Sequence, residues 1–484
     1  MEITKKQFVF GSFWKLLESL GTKGISFLVT LVLARILSPA EYGLVAIATV
    51  FISLSEILVQ SGLSTALIQK NKIEESDYST VFFFSMAIAT VLYVAIWFSS
   101  DLIAVFYAEP GLIPVLRVLC LSFFFQAFAS IRIAKVSREF LFRPLAKCNV
   151  ISSAISGVLG IFLALVGFGV WALVAQQLCF QLILNLLLVT VIHWHPMKPD
   201  FSRLGQLMPF GITVLTSSFI NYLSDSGFDL AIGKMYSVES LGFYSKGGQI
   251  PRQFSLYTVN ALTSVMLPTF SSKQNDPLRF AKVIKKSITA VGYFIFPLMS
   301  FCVAAAPQVI VVLFGNQWIP SVPIFRAFCL YYAATPIMLT CVQVYLSLGK
   351  GVYRIRTEAL RLCLTVLLLL FASLGTQTIA ELSLGKAIVE IVIAIVSLCL
   401  VARLIQSSSM DLFACLAFPF FSSAAILLLC YLASLFVPSG LGLLLAQIVL
   451  ALLAYLILSF IFKPDTFCEL ITLAKQASKV RTNE

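Results

Sequence analysis

Charge is what this 484-residue chain has least of: Asp, Glu, Lys and Arg together make up only 12% of it. A soluble domain carries about 25%, so water is excluded as its main solvent. Histidine is almost absent. His193 and His195 flank Trp194, lack HExxH spacing and have only Asp200 near them. They read as solvated loop residues rather than zinc ligands. No two of the eleven cysteines form a CxxC, and most sit in apolar runs, where they act as small hydrophobes. A phosphate-binding loop is missing too. The nearest approach, Gly227-x5-Gly233-Lys234-Met235, has one residue too many and Met where Ser or Thr is needed, which excludes an ATPase. The longest outside loop, around Pro307 to Pro320, is too short for a catalytic domain. The N-terminal apolar run carries Lys15, Glu18 and Lys23 without a small-residue cleavage site, so it reads as a first span rather than a signal peptide.

What is present is lipid-soluble surface. The chain is 59% hydrophobic, with a mean hydropathy of +0.97. A hydrocarbon core about 30 Å thick takes roughly 20 apolar residues per helix. On that measure about fourteen spans follow, from 9–36 to 440–462. With that count, 24 of the 34 Lys and Arg residues fall on one side. Only Lys234 and Arg326 fall on the other; the rest lie in or beside spans. This asymmetry explains the net charge of +12 without nucleic acid, and it places both termini in the cytoplasm. After Lys463, Phe467, Leu470, Ile471, Ala474 and Ala477 recur at helical spacing, as in a short surface helix.

A repeat organises the spans. Ala34-Arg35-Ile36-Leu37-Ser38, with Gly43 following, matches Gly233-Lys234-Met235-Tyr236-Ser237, with Gly242 following, at an offset of 199 residues. Both stretches join an odd span to an even one on the same face. The expectation is an all-α polytopic membrane protein with two pseudo-symmetric six-helix lobes, 1–204 and 205–406. Two additional helices occupy 407–462 and a cytoplasmic tail 463–484.

Polar residues enter the first two helices of each lobe as stripes, at about 100° per residue. Span 1 carries Ser12, Lys15, Glu18, Thr22, Lys23, Ser26 and Thr30 on one arc, and span 2 carries Thr49, Ser53, Glu56, Gln60 and Ser64. Span 7 carries Ser217, Asn221, Ser224, Asp225 and Asp229; span 8 carries Ser245, Lys246, Gln249, Arg252, Gln253, Tyr257 and Asn260. The hydroxyls alone read as glue between helices. A charge at the bilayer centre costs about 2.5–3.5 kcal/mol, so Lys23, Glu56, Asp225, Lys246 and Arg252 together read as the lining of a hydrated cavity. Lys246-Gly247-Gly248-Gln249-Ile250-Pro251-Arg252 predicts a kink or break in span 8. Elsewhere, Arg361 one turn from Glu358 and Lys386 one turn from Glu390 read as local pairs. Arg117 reads as a snorkelling side chain and Arg35 as a solvated helix end.

Leu33-Ala34-Arg35-Ile36-Leu37-Ser38-Pro39-Ala40-Glu41-Tyr42-Gly43 resembles the first outer turn of oligosaccharide flippases of the polysaccharide-transporter family. Asn221-Tyr222-Leu223-Ser224-Asp225 and Asp229-Leu230-Ala231-Ile232-Gly233-Lys234 resemble that family's seventh helix, and Ser240 to Ser245 the start of its eighth. Gly167 to Leu173 is similar to its turn between spans 5 and 6. The colanic-acid exporters are the branch resembled most. The resemblance implies the multidrug/oligosaccharidyl-lipid/polysaccharide exporter fold, in the bacterial inner membrane. It further implies a cavity opening alternately to each side, undecaprenyl-diphosphate-linked oligosaccharides as substrate, and coupling to H+ or Na+ with no cofactor. On this reading Lys23, Lys246 and Arg252 hold the diphosphate, with Lys15, Gln249 and Asn221 nearby. Glu56, Asp225, Asp229 and Glu18 are the coupling carboxylates. A polysaccharide polymerase and a chain-length regulator are expected partners beside membrane lipid; nucleic acid is not. Two alternatives stand beside it: a drug exporter on the same fold, whose cationic cargo would want an acidic cavity, and a membrane glycosyltransferase or polymerase, for which Asp225 and Asp229 are the sole paired carboxylates.

Overall fold

A computed structural model describes residues 5–60, 63–69, 73–139, 141–273, 276–375, 378–438, 440–464, 466–468 and 472. Every regular element among them is helical. In chain order these are α1 (Lys5–Ile36), α2 (Pro39–Gln60), α3 (Leu63–Gln69), α4 (Glu75–Tyr107), α5 (Leu112–Leu119), α6 (Ser122–Arg138), α7 (Phe142–Leu165), α8 (Val170–Val191) and α9 (Leu204–Met235). Then follow α10 (Val238–Lys273), α11 (Pro277–Ala304), α12 (Ala306–Phe314), α13 (Val322–Ser347), α14 (Gly351–Ala372), α15 (Ile379–Leu404), α16 (Ser409–Ala414), α17 (Ala417–Phe436) and α18 (Leu441–Phe462).

Eleven helical stretches among the described residues are long and apolar enough to cross a membrane. Helices α9, α10 and α14, of 32, 36 and 22 residues, lie outside that count. Adding them is consistent with the fourteen spans expected. All eleven cysteines are free thiols, and Cys120, Cys148, Cys302, Cys329, Cys341 and Cys430 are buried as packing residues.

The chain divides into two compact units, Met1–Gly242 and Phe243–Glu484. In the first, α7 packs between α1 and α8, α4 lies on α6, and α2 lies on α6 and α9. One core of this unit gathers Leu63, Val81, Phe82, Leu188 and Trp194. The loop after α8 is pinned over that core: Met197 N donates to Ser79 Oγ at 2.9 Å, and Asp200 N to Thr80 Oγ1 at 2.9 Å. Trp194 is therefore buried while His193 and His195 stay exposed, as solvated loop residues should. Arg117 is more than a snorkelling residue. It donates to Ser100 Oγ at 2.8 Å and pairs with Asp101 at 2.9 Å, with its guanidinium 4.7 Å from the Trp97 ring centre.

The two repeated corners are built alike. Each turns in two residues, Leu37-Ser38 and Tyr236-Ser237, and closes with Leu37 N to Leu33 O at 2.9 Å and Tyr236 N to Ile232 O at 3.0 Å. Each serine caps the helix it opens: Glu41 N donates to Ser38 Oγ at 3.4 Å, and Ser240 N to Ser237 Oγ at 3.1 Å. The first corner adds the reciprocal bond of a capping box, Ser38 N to Glu41 Oε2 at 2.7 Å. The starts of α2 and α10 then cross at their matched glycines. A Cβ on Gly43 would collide with the Val238 carbonyl oxygen, and one on Gly242 with the Pro39 carbonyl oxygen.

In the second unit α13 packs on α15 and α11, α14 lies on α15, and α11 carries α17, which pairs with α18. The two additional helices are thus seated on α11, where Tyr293 Oη and Ser459 Oγ lie 2.9 Å apart. Just before α17, Asp411 accepts from Lys285 Nζ at 2.9 Å and Ser407 Oγ at 3.1 Å. These donors hold its carboxyl below the usual carboxylate range. Helix α10 runs unbroken through Pro251, so the break expected there does not occur. Its glycines serve contact instead. A Cβ on Gly247 would meet Ile324 Cγ2 at 2.9 Å, and one on Gly248 the Phe328 ring at 2.9 Å, so only glycine lets α13 approach this closely. In the tail, Phe467 is buried and its ring centre lies 5.1 Å from that of Phe460. Leu470, Ile471, Ala474 and Ala477 lie outside the described residues.

Candidate functional site

The stripe on α1 meets α7 in part. Ser26 Oγ and Ser153 Oγ are 3.2 Å apart, and Asn149 Nδ2 donates to Glu18 Oε1 at 2.9 Å. A Cβ on Gly157 would collide with Val29, so the helices approach closely enough for these short side chains to meet. Glu18, half-buried, is thereby held against α7, whereas Lys23 is exposed. Glu56, half-buried on α2, lies beside the Ser122 side chain at the start of α6. Asp229 is half-buried on α9. The side chains of Lys15, Asn221 and Asp225 lie outside the described residues.

The second unit holds buried charge of its own. Lys246 is buried at 6% exposure, with Nζ donating to Gln249 Oε1 at 3.1 Å and lying 5.9 Å from the Phe314 ring centre. Arg252, one and a half turns on, is exposed. The α10 strip therefore differs in burial along its length: Lys246 is buried, Gln249 half-buried and Arg252 exposed.

Two cations that the sequence assigned to local pairs turn out to tie helices together. Lys386 on α15 interacts with Glu390 on its own helix and reaches other helices as well. Its Nζ donates to Tyr244 Oη at 2.9 Å and lies 5.6, 5.9 and 5.7 Å from the ring centres of Tyr244, Phe328 and Tyr331. Three rings and a phenol oxygen from α10 and α13 thus surround one ammonium. Arg361 on α14 does meet Glu358, at 3.4 Å, but it also reaches across to Glu390, 3.3 Å from each carboxylate oxygen. Glu390 is 1% exposed, so the pair is internal. Among the described residues no group of three or more His, Cys, Asp or Glu side chains is arranged to hold a metal. Lys386 left no local signal because Tyr244 stands 142 residues away; its depth within an apolar helix was the available clue.

A bundle of long apolar helices carrying internal cations defines a multi-pass membrane protein. The chain belongs to the polysaccharide biosynthesis protein family, which matches residues 32–323, more than half of its length. It is 26% identical over 339 residues to the succinoglycan biosynthesis transport protein ExoT of Rhizobium meliloti (strain 1021), covering 70% of this chain and 69% of that one. It is 22% identical over 332 residues to the lipopolysaccharide biosynthesis protein WzxC of Escherichia coli (strain K12), covering 67% of each. Its fold is similar to that of the lipid II flippase MurJ in an inward closed conformation: TM-score 0.71, 16% identity, 95% of this chain and 99% of that one. An inward-facing multidrug resistance MATE family transporter of the MOP superfamily matches with TM-score 0.61 and 14% identity, over 79% and 94%. The resemblance carried by the first corner, α9 and the start of α10 therefore holds. The protein is a multi-pass membrane transporter of polysaccharide biosynthesis, not an enzyme.

Proposed function

We propose that this chain flips undecaprenyl-diphosphate-linked oligosaccharide units from the cytoplasmic to the periplasmic leaflet of the bacterial inner membrane. The observation that carries the reading is the set of cations on these helices, Lys246 and Lys386 held within the second unit and Arg252 exposed. Cations at this depth favour an anionic cargo such as a diphosphate, and disfavour the cationic cargo of a drug exporter. The sugars and diphosphate pass between lobes 1–204 and 205–406 while the polyprenyl chain stays in lipid. Lys23 and Arg252 contact the diphosphate first, being exposed, and Lys246 receives it deeper, with Lys15, Gln249 and Asn221 alongside. Glu56, Asp225, Asp229 and Glu18 carry the coupling: protonating a carboxylate, or pairing it with Na+, lets the lobes close without stranding its charge.

Arg252→Ala is the cleaner test, because an exposed side chain leaves no void when truncated. A charge-assisted contact contributes about 1.5–3 kcal/mol, so surface polysaccharide should fall about tenfold or more at normal protein abundance. Lipid-linked units should accumulate in the cytoplasmic leaflet. Lys246→Arg should keep part of the activity that Lys246→Ala loses. Normal export by both alanine variants would overturn the diphosphate reading. Loss of cationic-dye efflux without loss of polysaccharide would favour the drug exporter instead.

A further inference from the structure

A groove of about 700 Å³ opens in the first unit where the end of α4, the end of α9 and the middle of α2 meet. That size falls within the ordinary range of ligand sites, roughly 300–1,000 Å³. Phe51, Leu102, Phe106, Leu230 and Met235 line it, and Lys234 is the one charged residue among the lining side chains. Leu102 and Phe106 are 73% and 52% exposed, so the groove is open at the protein surface. Lys234 Nζ donates to the Phe106 carbonyl oxygen at 2.6 Å and lies 4.4 Å from the Phe106 ring centre. An ammonium has three donors, and that bond uses one.

By the charge asymmetry, Lys234 is one of only two cations on the outer side, against 24 on the inner. A cation retained there, at the lip of an apolar groove, needs an explanation that topology does not supply. We infer that the groove takes the isoprenoid chain of the polyprenyl-diphosphate carrier in the outer half of the bilayer, with Lys234 against its phosphate. This rests on the flippase reading above and adds a second place where the carrier touches the protein, apart from the cations of the second unit. A concave apolar wall with Phe51, Phe106 and Tyr107 among its rings suits a branched, unsaturated chain, and the cation at one end fixes which end carries the anion.

The test is photolabelling of the full chain in phosphatidylethanolamine nanodiscs, using a polyprenyl diphosphate with a diazirine on its chain and mapping adducts by mass spectrometry. Adducts are expected on the segments holding Leu102–Phe106 and Leu230–Met235. Excess unlabelled polyprenyl diphosphate should compete, and phosphatidylglycerol should not. Lys234→Gln, whose amide still donates to the Phe106 carbonyl, should cut groove labelling about tenfold, a loss of roughly 1.4 kcal/mol, while Lys234→Arg retains it. Leu102→Trp, at a position open to lipid, should block labelling without lowering the thermal unfolding midpoint. Equal competition by phosphatidylglycerol would overturn the inference in favour of a general anionic-lipid site. Adducts confined to the second unit would overturn it and leave the flippase reading standing. No adduct anywhere in the chain would remove both.

Discussion

Arg361 answers two carboxylates on two helices, and only the nearer was legible in the sequence. Glu358 lies three residues away, at the spacing that makes helix neighbours. Glu390 lies on α15, where no local pattern points back to α14. Lys386 was read incompletely for the same reason: a carboxylate one turn away looked sufficient, and the aromatic enclosure comes from helices far off in sequence. Such partners are set by packing, which periodicity does not encode. The arrangement has a measurable consequence. Glu390→Leu leaves the Arg361 guanidinium facing an apolar wall, and breaking an internal pair from one side costs about 3–5 kcal/mol. Because Glu358 still holds Arg361, the loss should fall toward the lower end of that range. Arg361→Met paired with Glu390→Leu should recover much of it, since neither charge is then stranded. Thermal unfolding of the three variants in one detergent measures this; a double variant no better than Glu390→Leu would show that the pair is not coupled.

Helices were legible where their ends carry chemistry. Both corners were read from the repeat at an offset of 199 residues, and its matched serines, Ser38 and Ser237, prove to cap α2 and α10. The reading of α10 was less complete, because Gly247, Gly248 and Pro251 permit a break as readily as a close contact. Only the presence of α13 decides between them. The polar stripe on α1 proved divided, with Ser26 and Glu18 turned to α7 and Lys23 exposed. At the corners, Gly43→Ala and Gly242→Ala each force a methyl group against a carbonyl oxygen. Overpacking of this kind costs about 1–3 kcal/mol. Each variant should unfold at lower temperature than the wild type, and the double variant should lose less than the sum of the two, since one displacement of the crossing relieves both clashes. Fully additive losses would mean that the glycines act separately.

For the molecule as a whole, composition alone separated a lipid-embedded chain from a soluble one, and the family motifs lie in the part of the chain that the family matches. Orientation rests on the distribution of Lys and Arg. A reporter fused after Lys479 should be active only in the cytoplasm, and one inserted between Glu109 and Gly111 only in the periplasm. Both reporting from the same compartment would refute the even count of spans. The offset of 199 residues that relates the two corners also maps Pro39 onto Val238 and Gly43 onto Gly242. Exchanging the two corners therefore turns the contact of Gly43 with Val238 into that of Gly242 with Pro39. A contact that maps onto itself under exchange is the geometry of a symmetric homodimer, here enclosed in one polypeptide. The exchange holds for the backbone contact and not for the caps, which are Ser with Glu at one corner and Ser with Ser at the other.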